Sequence, residues 1–194
     1  MEVELKYKYP RPDFSELKVR LEELGFTPGK TKHQIDTYYL REDQPDSATH
    51  FMLGDEMAYM RLRHDVIAGT FSFDLKLINN EKHLARFPEY EAMLADLKSL
   101  EEADKILCLL GYRKGTVIDK TRESFRRGEA KAELDTVLNL GMFVEVEIMA
   151  DEADSVAALE RVRSLSAELG LTQDLWIPTG YVDLMAWEKI GKKF

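Results

Sequence analysis

The chain has 194 residues, 44% of them hydrophobic and 32% charged, which excludes a disordered or collagen-like chain and fits one domain spanning 1–194. With 27 Lys and Arg against 36 Asp and Glu, the net charge is −9, and this excess of acid argues against nucleic acid or a membrane surface as partner. One cysteine, Cys108, excludes internal disulfides and a zinc site built on paired cysteines. No run approaches the roughly 18 apolar residues of a membrane span, the charged opening MEVELKYKYP is unlike a signal peptide, and a cytoplasmic protein is expected.

Alternation of polar and apolar residues predicts a strand over 2–9. A helix follows over 13–24, where Asp13 or Ser15 would cap, Leu17, Leu21 and Leu24 recur at helical spacing, and Gly25 stops it. Residues 33–40 read as a strand, 41–56 as a loop, and 57–64, 71–78 and 85–93 as strands. The next helix spans 100–110, with Ile106, Leu107, Leu109 and Leu110 as its apolar face before Gly111. Strands at 116–126, 129–137 and 142–149 precede a helix over 153–169, carried by Val156, Leu159, Val162, Leu165 and Leu169, and a last helix near 180–190. This order predicts an α+β fold: an eight-stranded antiparallel sheet with flanking helices.

The alternation is unusual in what fills its polar half. Successive strand side chains face opposite ways. Glu2, Glu4, Lys6 and Lys8 share one face, opposed to Val3, Leu5, Tyr7 and Tyr9. The same division sets Arg61 and Arg63, Asp74 and Lys76, Glu89 and Glu91, Lys120 and Arg122, Lys131, Glu133 and Asp135, and Glu145 and Glu147 against apolar neighbours. For one strand this is a solvated face. Seven strands with both signs interleaved predict instead a barrel, closed or nearly so, that is apolar outside under its helices and charged within. A charged lumen needs a charged ligand. The carboxylates suit hard divalent cations and the Arg and Lys residues suit phosphate oxygens. Together they describe a site for a metal-bound polyphosphate, where catalysis is mainly charge neutralisation and alignment.

The opening Glu2-Val3-Glu4-Leu5-Lys6 forms an ExExK motif. It is followed by Asp36-Thr37-Tyr38-Tyr39, Arg61-Leu62-Arg63, Lys76, Glu89-Tyr90-Glu91, Lys120-Thr121-Arg122, Glu133-Leu134-Asp135 and Gly141-Met142-Phe143-Val144-Glu145-Val146-Glu147. In order and spacing this set, from residue 1 to about 187, resembles the CYTH superfamily of triphosphate tunnel metalloenzymes. That superfamily includes class IV adenylyl cyclases, thiamine triphosphatases and tripolyphosphatases. The resemblance implies an eight-stranded tunnel and Mg²⁺ or Mn²⁺ as cofactor. It implies Glu2, Glu4, Asp135, Glu145 and Glu147 as metal ligands. Arg61, Arg63, Lys76, Lys120 and Arg122 would cradle the triphosphate, and Lys6 and Tyr38 would be a catalytic pair. Arg86, Glu89, Glu91 and Glu133 are further tunnel candidates, and the resemblance is compatible with a homodimer.

Hydrolysis is the first expectation, because DTYY resembles the triphosphatases and the His-Phe pair upstream of ExExK in class IV cyclases has no counterpart before Met1. The alternative is a cyclase forming cyclic AMP and pyrophosphate, since the region from LGYRKGTVIDKTRESF to GMFVEVEIMADE, with Tyr181 near Asp183-Leu184, resembles proteins labelled as cyclases. A non-catalytic nucleotide or polyphosphate binder is a further alternative. Gly29-Lys30-Thr31 is not a P-loop, because Leu24 stands where that pattern needs glycine. His33, His50, His64 and His83 lack metal spacing and read as surface or packing residues. Cys108 reads as buried and inert, and Trp176 and Trp187 as packing residues. Phe143 shares the parity of Glu145 and either fills a tunnel end or meets the ring of a substrate.

Overall fold

The computed structural model describes residues 2–78, 89–189 and 191, without the side chains of Glu2, Ile78 and Glu152. Its strands are β1 (Glu2–Lys8), β2 (Thr27–Arg41), β3 (Phe51–Leu53), β4 (Glu56–Asp65), β5 (Thr70–Ile78), β6 (Glu89–Leu94), β7 (Tyr112–Arg127), β8 (Ala130–Val137) and β9 (Gly141–Met149). Its helices are α1 (Ser15–Glu23), α2 (Leu97–Leu109), α3 (Ser155–Glu168) and α4 (Tyr181–Lys189). Each predicted strand and helix is present. The strand expected at 85–93 is described from Glu89 onward, and its first four positions lie outside the described residues. One correction falls in the expected loop 41–56, where Phe51–Leu53 pairs with β4 as a short ninth strand. Its three residues are too few for a readable period.

All pairings are antiparallel, in the order β1-β9-β8-β7-β2-β4-β5-β6, with β3 added on β4. Among the described residues β1 and β6 do not pair, so the sheet is a curled, tunnel-like layer. Its convex face carries the apolar half of the alternation. Val3, Tyr7, Ala132, Leu134, Val144, Val146 and Ile148 pack beneath Leu17 and Leu21 of α1 and Ala158, Leu159, Val162 and Leu165 of α3. Burying each larger aliphatic side chain there contributes roughly 1.5–3 kcal/mol. A second convex cluster sets Met60 and Leu62 of β4 against Leu107 of α2.

The apolar face expected for α2 is corrected. Leu107 is its buried residue, with Leu100 and Ala103 packed beside it. That stripe runs at positions i, i+3 and i+7, the spacing of one helix face. Ile106, Leu109 and Leu110 lie off it and are exposed. Cys108 is also exposed rather than buried, because it lies off the stripe of Leu100, Ala103 and Leu107. Of the histidines, His33 pairs with Asp119 at 2.8 Å and His64 stacks on Phe71, while His83 lies outside the described residues.

The concave face is charged along most of its length and apolar at one end. There Ile118, Val137, Leu140 and Phe143 meet Tyr181, Val182, Leu184 and Met185 of α4, with Tyr38, Tyr59 and Trp187 at the margin. Phe143 is fully buried, its ring 5.0 Å from that of Tyr181, so it fills the tunnel end. The helix is fixed at its start, where Tyr59 and Thr179 both donate to Asp183, at 2.8 and 2.6 Å.

Candidate active site

Antiparallel register places the acidic residues of three strands side by side. Glu4 stands opposite Glu147, Lys6 opposite Glu145, Glu133 opposite Glu145 and Lys131 opposite Glu147. Like charges so placed repel, and the lattice is held by interleaved bases. Lys6 lies 3.0 Å from Glu145. Lys131 joins Glu147, at 2.7 Å, to Glu133, and Ser124 donates to Glu133 at 2.6 Å. From β7, Arg122 forms a two-pronged pair with Asp135, at 2.6 and 2.5 Å, and also reaches Glu145. Asp135 is wholly buried, accepts the Tyr181 hydroxyl proton at 2.8 Å and lies 3.6 Å from Lys120.

A second network continues across β2, β4, β5 and β6. Arg63 grips both oxygens of Asp36, at 2.6 and 2.7 Å. Arg61 reaches Asp36 at 3.5 Å, Asp74 at 2.8 Å and Glu89 at 2.8 Å, and donates to the Tyr38 hydroxyl at 3.3 Å. The two networks meet electrostatically between Lys120 and Asp36.

These neighbours set the protonation of the site. Burial alone would push Asp36 up, but Arg61 and Arg63 outweigh it and hold the carboxyl well below its usual range. Burial is likewise overcome at Glu145 by Arg122 and Lys6, and at Asp135 by Arg122 and Lys120, so both are lowered. Lys120 behaves differently: burial, joined by the adjacent Arg122, brings its ammonium down to about 8. For Lys6 burial acts in the same direction, but Glu145 and Glu4 exceed it and the net shift is upward. The lysine of the ExExK motif therefore stays cationic at neutral pH, its ammonium also lying 4.2 Å over the Tyr181 ring. The catalytic pair expected from the resemblance is distributed in this structure, with Lys6 on Glu145 and Tyr181 and Tyr38 on Arg61.

The structure brings Glu4, Lys6, Lys120, Arg122, Asp135 and Glu145 into one ion-pair network, and sets Glu133 and Glu147, joined by Lys131, beside it in register. It joins Tyr38, Arg61 and Glu89 around the guanidinium of Arg61, with Arg63 beside them on Asp36. Lys76 takes its place in register opposite Glu89 and Tyr59. Glu91 lies opposite Asp74 and is exposed. The Glu2 side chain and Arg86 lie outside the described residues. Sequence reasoning assigned no role to Asp36, Asp74, Lys131 and Ser124, although each has the parity of the charged face. Tyr181 has no such signal, because a helix docked inside the sheet brings it there.

Among the described residues no three acidic, histidine or cysteine side chains stand together as a ready metal cage. The donor chemistry nevertheless fits Mg²⁺ or Mn²⁺. Glu4 and Glu147 are direct cross-strand neighbours, Glu145 follows on the same face, and all offer carboxylate oxygen. Mg²⁺ commonly takes only one or two protein carboxylates and completes its shell with water and substrate phosphate.

A CYTH domain model matches residues 1–181. The chain belongs to the CYTH family. It is 28% identical over 185 residues, 95% of this chain and 98% of the other, to a Methanocaldococcus jannaschii protein named "Putative adenylate cyclase MJ0240". Among solved structures, the PH1012 protein of Pyrococcus horikoshii superposes with a TM-score of 0.77 at 22% identity, covering 95% of this chain and 99% of that one. A Vibrio parahaemolyticus protein titled a "putative adenylate cyclase" gives 0.73 at 21% identity, covering 95% and 97%. These two likenesses establish the fold. Among the described residues no helix is long and apolar enough to cross a membrane.

Proposed function

We propose that this CYTH protein is a metal-dependent enzyme that cleaves a triphosphate on its concave face, releasing orthophosphate. The observation that carries the reading is the line of bases on the concave face, Lys120 buried and Arg61, Arg63 and Arg122 half-buried, held by carboxylates of β2, β5, β6, β8 and β9. A site that kept these charges only for stability would do as well with apolar residues. Arg61, Arg63 and Arg122 offer planar forks for phosphate oxygens, with Lys76 and Lys120 as point charges beside them. Glu4, Glu145 and Glu147, with Asp135 and the motif's Glu2, would hold the metal. When bound, the metal would neutralise charge developing on the phosphate oxygens. Lys6, kept cationic by Glu145 and Glu4, supplies fixed positive charge rather than a base. Tyr38, on Arg61, lines the same face.

The second reading is cyclisation of ATP, favoured by the name of the M. jannaschii relative. Both reactions begin from the same bound species, so fold does not separate them. Product analysis does. Purified protein would be incubated with Mg²⁺ or Mn²⁺ and, separately, ATP, thiamine triphosphate and tripolyphosphate. Phosphorus NMR follows orthophosphate and pyrophosphate, and chromatography follows cyclic AMP. Orthophosphate without cyclic AMP is expected. Cyclic AMP with equal pyrophosphate would replace hydrolysis by the cyclase reading, and metal-dependent binding without turnover would leave a binder.

A further inference from the structure

Two buried side-chain atoms find no hydrogen-bond partner among the described residues, Oδ1 of Asp74 and Oε1 of Gln34. Both residues lie on the concave face. Gln34 of β2 stands opposite Lys120 and Asp65. Asp74 of β5 stands between Arg61 on β4 and Glu91 on β6, and is only 2% exposed. A buried polar atom without a partner is costly, so each marks a place where a ligand group would be welcome.

The two atoms differ in what they can receive. An amide turned about its last bond offers either a donor or an acceptor, so Gln34 suits several partners. Asp74 is more restrictive. Its Oδ2 accepts from Nε of Arg61 at 2.8 Å, and a carboxylate so paired is an acceptor at both oxygens. A phosphate oxygen brought to Oδ1 would be repelled. A metal ion is disfavoured there because the guanidinium cation of Arg61 already sits on the same carboxylate. The fitting group is an uncharged N–H or O–H donor. Because Asp74 is bonded to Arg61, that donor would lie immediately beside a phosphate held by Arg61.

We propose that Asp74 is a specificity-determining residue whose free oxygen accepts a hydrogen bond from a hydroxyl or amino group on the organic end of the substrate. The protein would then prefer a nucleoside-type triphosphate to bare tripolyphosphate. This rests on the triphosphate reading above and adds the substrate class to it. The physical basis is asymmetric. A site with a buried acceptor discriminates strongly against an analogue that leaves it unpaired, far more than an apolar wall discriminates by size.

The test compares kcat/KM for ATP and for tripolyphosphate, with Mg²⁺, in the wild type and in Asp74→Asn, which preserves shape. The expected result is a fall of about tenfold or more in the ratio of ATP to tripolyphosphate. In the wild type, one of 2′-deoxy-ATP, 3′-deoxy-ATP and inosine triphosphate should show a similar loss against ATP, and Asp74→Asn should add little to it. A role exerted only through Arg61 would lower both substrates equally, and an unchanged ratio would overturn the inference while leaving the triphosphate reading intact. If Asp74→Asn does not fold, the wild type decides alone, since equal handling of tripolyphosphate, ATP and all three analogues refutes the assignment. A wild type that neither binds nor cleaves any triphosphate sinks both.

Discussion

Asp36 shows how a single side chain is committed by its neighbours. Two arginines share it, and removing the carboxylate strips Arg63 of both its hydrogen bonds to it and Arg61 of one of its three carboxylates. Asp36→Ala should therefore lower unfolding free energy by about 3–5 kcal/mol, measured by urea denaturation at pH 7. The sign of its pH dependence follows from its depressed folded value. Between that value and the unfolded carboxyl near 3.9, the unfolded state binds more protons, so stability rises with pH there. The contribution is complete above about pH 5 and declines as pH falls below 4. The difference in stability between wild type and Asp36→Asn should shrink steadily from pH 5 to pH 3, and a difference constant across that range would contradict the assignment. The acidic and basic site residues separate by another measurement. Glu4→Gln or Glu147→Gln should abolish metal dependence and most turnover. Arg61→Ala or Arg122→Ala should chiefly raise KM, by about ten- to hundredfold for a charged bond worth roughly 1.5–3 kcal/mol. Steady-state kinetics against Mg²⁺ and substrate concentration would test both, and normal turnover in Glu4→Gln would dismiss the metal ligand.

The sequence predicts helix α4 near 180–190, but not its docking on the concave face. Its Tyr181 donates to the wholly buried Asp135 and lies under the ammonium of Lys6. Tyr181→Phe should cost about 1.5–3 kcal/mol, the worth of a hydrogen bond to a charged group, with Arg122 still holding the same Asp135 oxygen. Asp96→Ala is the matching control away from the site. It removes the cap on α2, where Asp96 accepts from the Ser99 amide at 2.7 Å, and should cost about 1 kcal/mol while leaving KM unchanged. Urea unfolding with parallel kinetics reads both. The contrast explains what was legible in the sequence. Strand parity is strict, so Arg61, Arg63, Arg122, Glu133, Glu145 and Glu147 could be placed on one face from spacing alone. Helix packing has no such strictness. Four apolar residues at 106–110 suggested a face for α2, yet Leu107 with Leu100 and Ala103 decides it. Phe51–Leu53 was too short to show a period, and contact with β4 makes it a strand. Which acid meets which base depends on register across the sheet, and a sequence pattern contains faces but not registers.

At the scale of the molecule, the charged face is nearly self-neutralised. Arg122 and Lys6 hold Glu145, Lys131 holds Glu147, and Arg61 and Arg63 hold Asp36. A triphosphate and a divalent cation would each have to displace one half of these pairs. Triphosphate oxygens engaging Arg122 and Arg61 would release carboxylates, and a metal engaging Glu4, Glu145 and Glu147 would release bases. Each ligand therefore prepares the site for the other, and linkage requires the effect to be reciprocal. Calorimetric titration should find Mg²⁺ binding tighter in the presence of a non-hydrolysable triphosphate, and the triphosphate tighter by the same factor in the presence of Mg²⁺, beyond their association in buffer alone. Thermal unfolding should follow the same rule. At a hundredfold excess over Kd a single ligand adds about 2.7 kcal/mol, and the pair should raise Tm by more than the sum of the two separate shifts. Additive shifts would mean that the ion pairs seen between strands persist when ligands bind. The acidic and basic residues would then be two independent surfaces rather than one site.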